Sequence, residues 1–64
     1  MKVTKEVEGK RVAIKMRTGG QYIGTVQKVN GTQLVMQPDQ GGLVYLSLGM
    51  ISTLQLLVEE DNHD

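Results

Sequence analysis

The sequence predicts an all-β fold, a small barrel of short antiparallel strands with a very short N-terminal helix or none. Three observations carry that expectation. From residue 11 to 17, Val12, Ile14 and Met16 alternate with Arg11, Ala13, Lys15 and Arg17, the period-two pattern of a half-buried strand. Two turn signals, Thr18-Gly19-Gly20 and Asn30-Gly31, separate this run from two further strand-like runs. Inside the second run, the isolated Gly24 marks a bulge or a sharp bend where another backbone comes close. Three antiparallel strands kinked in the middle one are the start of a closed sheet.

Each element follows in chain order. Val3 and Val7 lie four apart with charges between them, a spacing that permits a turn or two of amphipathic helix. Valine is a poor helix former and the segment is short, so an extended lead-in is the alternative. Gly9 marks the entry to a strand over residues 10–17, and the second strand spans 22–29. Leu34, Val35 and Met36 restart a strand after Asn30-Gly31. Pro38 cannot donate to a sheet ladder, and Asp39-Gln40-Gly41-Gly42 supplies a third turn. Residues 43–48 form the fourth strand, with Val44, Leu46 and Leu48 on one face and Leu43, Tyr45 and Ser47 on the other. A strand apolar on nearly both sides in so small a protein suggests a neighbouring subunit. Gly49 interrupts, and residues 50–58 (MISTLQLLV) form the fifth strand, with room for a helical turn at its start. Its leucines are too apolar for an exposed edge, which pairing with a second chain would cover. The expected organisation is one barrel domain over residues 1–58 and a disordered acidic tail, EEDNHD, over 59–64.

The totals limit what the chain can do alone. At 64 residues a lone apolar core leaves little net stability; the lack of cysteine excludes a disulfide framework, and with His63 the single histidine a structural zinc site has almost no ligands to draw on. Self-association is the remaining way to enlarge the buried surface. No apolar run approaches the length of a membrane span, and the opening MKVTKEVEGKR has no apolar signal-peptide core, so the sequence predicts a cytoplasmic protein that does not engage a membrane. The zero net charge hides an asymmetry. Residues 1–28 hold all seven basic residues against Glu6 and Glu8, a net of +5, and the remainder holds five acids and no base. Such a distribution suits a polyanion on one face, head-to-tail attraction between copies, or simply a solubilising acidic end.

The order and spacing of these features resemble the Sm and Sm-like family, including its bacterial host-factor-Q branch. The first Sm motif is similar to Val12, Ile14, Met16, Thr18-Gly19, Tyr22, Gly24, Val26, Val29-Asn30 and Leu34-Val35-Met36. Met50-Ile51-Ser52-Thr53 is similar to the Ala-Ile-Ser-Thr that ends the second motif of the host-factor-Q branch. The resemblance implies a strongly bent, five-stranded barrel of the SH3-like class. It also implies a ring in which the fourth strand of one subunit, residues 43–48, pairs with the fifth of the next, residues 50–58, and which binds single-stranded RNA around its pore. The implied pore cluster is Asn30, Gly31, Thr32, Leu48, Gly49 and Met50. Where the family places a cation this chain has Leu48-Gly49, and the Asp of the first motif is Asn30. On the opposite face, Lys15, Gly20 and Gln21 fall where host-factor-Q rings carry a second, purine-preferring surface. Other SH3-like barrels, such as the C-terminal domain of ribosome-maturation factors, share the alternating strands and glycine turns.

Read without the family, Asn30-Gly31 serves turn geometry, Gly49 serves backbone freedom, and Arg11, Lys15 and Arg17 form a solvated basic strand face. Tyr22 shares the inner face with Gly24 and Val26 and is expected in the core. Catalysis has little to build on, since the acids sit in tails and turns and His63 is next to last. Gly19-Gly20-Gln21-Tyr22-Ile23-Gly24 lacks the Lys-Ser/Thr pair of a phosphate loop. The expectation is therefore a non-enzymatic protein without cofactor or metal, either a ring that binds single-stranded RNA or an assembly barrel that binds protein.

Overall fold

The alternating runs and their glycine turns resolve into five strands in the computed structural model, which describes residues 4–57. These are β1 (Arg11–Met16), β2 (Gln21–Asn30), β3 (Gln33–Pro38), β4 (Val44–Ser47) and β5 (Ile51–Leu56). Two single 3-10 turns, Lys5–Val7 and Leu48–Met50, are the only helical pieces among the described residues. The first is the short helical lead-in, capped by Thr4, whose hydroxyl accepts from the Glu6 N–H. Val3, Val58 and the acidic residues 59–64 lie outside the described residues.

All four strand pairings are antiparallel, in the order β4-β3-β2-β1-β5. The strands at the two edges, β4 and β5, are consecutive in sequence, joined only by Leu48–Met50. A flat sheet would hold its edge strands about 19 Å apart, four spacings of about 4.8 Å. The chain from Ser47 to Ile51 reaches at most about 14 Å, and less through a 3-10 turn. The sheet must therefore curl into a strongly bent small barrel, the all-β fold that the sequence predicts.

Two residues of β2 let it curl. Gly24 lies between Val12 of β1 and Pro38 of β3, and a Cβ there would fall 2.6 Å from the Pro38 Cα and against the Gln37 carbonyl oxygen. Only glycine permits that approach. The irregularity itself sits three residues later. Val26 pairs with Met36 but Lys28 pairs with Val35, so Gln27 is the extra residue of a bulge. It reverses the side-chain phase, and Val26 and Val29 both point inward although they are three apart. Downstream of the bulge, the Val29 N–H donates to the Glu8 carboxylate at 2.7 Å.

Inside the curl pack Val12, Ile14, Val26, Val29, Leu34, Met36, Leu46, Leu48 and Ile51, with no buried polar side chain among them. Val7, Met16, Tyr22, Val44 and Leu54 are half-buried against this core. The fourth strand is apolar on both sides, as its sequence says, but only one side is covered. Leu43 and Tyr45 point outward and are 50% and 62% exposed.

Candidate nucleic-acid interface

The β2–β3 hairpin closes on the Asn30–Gln33 pair. Of the two residues between, Gly31 has φ +63° and Thr32 has no positive φ, the sign pattern of a type II′ rather than a type I′ turn. The Thr32 carbonyl oxygen accepts from the Leu48 N–H at 2.8 Å, which docks this turn onto the 3-10 turn between β4 and β5. Two loops 16 residues apart in sequence become one surface. Asn30, Gly31, Thr32, Gly49 and Met50 are exposed there, Met50 by 42%. Leu48 is 7% exposed and belongs to the core, so the cluster draws only backbone groups from it.

A residue that sequence reasoning placed elsewhere also reaches this surface. Arg17, expected on the basic face of the first strand, donates its N–H to the Met50 carbonyl at 2.8 Å and its Nε–H to the Gly49 carbonyl at 3.0 Å. The cause is a shift between β1 and β5. Lys15 pairs with Thr53 and Met16 with Ile51, leaving Ser52 as an extra residue, so the end of β1 arrives beside the 3-10 turn. No local sequence signal announces a contact across 32 residues.

Lys15 and Gln21 lie on a different surface. They are direct cross-strand partners at the end of the β1–β2 hairpin, and Lys15 also faces Thr53 of β5. One step along, Ala13 lies between Ile23 and Gln55. The small side chain of Ala13 leaves a hollow of about 190 Å³ ringed by Lys15, Gln21, Ile23, Thr53 and Gln55. A second, open groove of about 610 Å³ adjoins it, between the start of β2 and the β3–β4 turn. That turn is held by Gln37, whose Nε2 donates to the Pro38 and Gly41 carbonyls at 3.0 and 2.8 Å. No hydrogen bond joins the Lys15 surface to the turn cluster among the described residues.

The third member of the basic face, Arg11, is engaged. Its guanidinium donates to both carboxylate oxygens of Asp39 at 2.8 and 3.0 Å. These hydrogen bonds, opposed by desolvation and aided to a lesser degree by the charge of Arg11, hold the Asp39 carboxyl below its ordinary value. This is the one ion pair among the described residues, and it leaves Lys15 and Arg17 as the cations of the two surfaces. Among the described residues no three His, Cys, Asp or Glu side chains gather to hold a metal, and no helix is long and apolar enough to cross a membrane.

Compared with known proteins, the chain matches no family model, no curated protein and no solved structure.

Proposed function

We propose that the chain is the subunit of a cytoplasmic, Sm-like homo-oligomeric ring that binds single-stranded RNA without catalysing a reaction. The observation that carries this reading is the Leu48–Thr32 hydrogen bond, which fuses the two loops that the family resemblance assigns to the pore. In this reading Asn30 and Thr32 offer an amide and a hydroxyl to base edges, and the Met50 thioether packs against a base face. Among the described residues the one aromatic that lines either surface is the half-buried Tyr22, beside the Lys15 hollow, so the expected affinity is modest and salt-dependent. The free edges of β4 and β5 support the ring. Each is an edge strand with no partner on its outer side among the described residues, and β5 adds the exposed Leu56.

Titration of labelled oligo-U and oligo-A at two salt concentrations tests the RNA reading. Binding that weakens as salt rises is expected, and absence of binding to both at low salt overturns it. Light scattering tests the ring, for which a mass of several chains at micromolar concentration is expected. A mass of one chain defeats the ring and favours a monomeric barrel like that of the ribosome-maturation factors.

The exposed Tyr45 on the outside of β4, with the exposed Leu43 just before the strand, favours a second reading, an assembly barrel that binds protein through that face. Recovery of nuclease-sensitive RNA with the protein from cells counts against it.

A further inference from the structure

We propose that Arg17 is the phosphate-contacting residue of the turn cluster, holding an RNA phosphodiester over Gly49; this rests on the RNA reading above. Two bonds from one residue to two successive carbonyls fix its place. The backbone N–H reaches Met50 O and the side-chain Nε–H reaches Gly49 O. With Nε spent on the turn, the two terminal nitrogens of the guanidinium remain, and neither has a hydrogen-bond partner among the described residues. No carboxylate pairs with the group either, since the one ion pair among the described residues is Arg11–Asp39. The side chain is exposed, and Gly49 is exposed with its Cβ side open, since apart from its chain neighbours a Cβ built there would meet nothing nearer than the Ser47 hydroxyl at 3.9 Å. A guanidinium anchored by one edge and open along the other is pre-organised for bidentate contact with a phosphate. Met50, exposed on the same turn, is placed for the adjoining base.

The simpler role for Arg17 is to pin the turn, and the salt dependence of binding separates the two. Wild-type protein, Arg17→Gln and Arg17→Lys are titrated with labelled oligo-U and oligo-A between 50 and 200 mM salt, with melting temperature and light-scattering mass recorded for each. Arg17→Gln is expected to flatten the plot of log affinity against log salt by about 0.7 for every subunit the RNA contacts, and to weaken binding about five-fold per contact near 0.1 M salt. Arg17→Lys keeps the charge but loses the Nε bond, and is expected to keep the wild-type slope. A wild-type slope in Arg17→Gln overturns the assignment, as does a Lys variant as flat as the Gln variant; in both cases RNA binding by the wild type still stands. Failure of the wild type to bind overturns the RNA reading and this assignment together. If Arg17→Gln does not fold, phenylglyoxal modification of the wild type decides. Bound oligonucleotide is expected to slow modification of Arg17, and an unchanged rate overturns the proposal.

Discussion

The two candidate surfaces are built in opposite ways. The turn cluster is held by backbone-directed hydrogen bonds, from Leu48 to Thr32 and from Arg17 to Gly49 and Met50. Lys15, Gln21 and Thr53 share only a strand register, and their side chains are exposed and without hydrogen bonds among the described residues. A fixed arrangement can discriminate among bases, because a ligand that fits it costs little ordering. A loose carpet of amides around one cation adds attraction with little preference. If both surfaces bind RNA, nucleotide selectivity should therefore reside in the turn cluster.

The largest expected effect removes both surfaces together. Gly24→Ala drives a Cβ into the backbone of Gln37 and Pro38, where no side chain can move aside, and should cost about 3 kcal/mol or more in urea unfolding. A loss below about 1 kcal/mol would mean that β2 and β3 separate there at little cost. Leu48→Ala separates the surfaces. It opens a cavity under the 3-10 turn worth about 2–4 kcal/mol and loosens the docking to Thr32, so preference between oligo-U and oligo-A should shrink while the Lys15 surface persists. Lys15→Gln makes the opposite cut, with stability changed by no more than about 0.5 kcal/mol and affinity reduced alike for both oligonucleotides. Equal loss of preference in the two variants would erase the distinction.

The smallest effect concerns the neighbouring Arg11–Asp39 pair. Because the folded state lowers the Asp39 pKa, its contribution is present above the usual aspartate value of 3.8 and is lost as pH falls through the lower, folded value. Melting temperature should therefore fall on acidification below 3.8, and less so in Asp39→Asn, whose amide does not titrate. The same acid sensitivity in the variant would assign it to other carboxylates.

Patterns confined to a few residues were legible in the sequence. The alternation of Val12, Ile14 and Met16, the turns at Gly19 and Gly31, the helical turn before Ile51 and the close approach at Gly24 all follow from local chemistry. The bulge was not. Gln27-Lys28 sets two polar residues in a row between Val26 and Val29, and only the partners across the ladder reveal that Gln27 is the extra one. The outward exposure of Tyr45 was equally hidden, since an apolar residue on each face of β4 says that both sides favour cover and not which side receives it. For the site, proximity of residues 30–32 to residues 48–50 was expected from a resemblance, and the structure places them together through Thr32 and Leu48. The arrival of Arg17 depends on how β1 and β5 slip past one another at Ser52, a property of the closed sheet that no stretch of sequence encodes alone.

The two open edges of the sheet have a further consequence for symmetry. The four residues of β4 and the six of β5 are unlike surfaces, so copies joined through them add head to tail. A head-to-tail contact has no symmetry of its own and repeats one rotation at every step. Successive copies return to the start as a ring only if that rotation divides a full turn; otherwise they climb into a filament. The rotation is set by the angle between the edges, and so by how tightly β2 bends at Gly24 and Gln27. In the proposed assembly, subunit number is thus written in the curvature of one interior strand, and deleting Gln27 would be read out as a change of mass rather than a loss of contact.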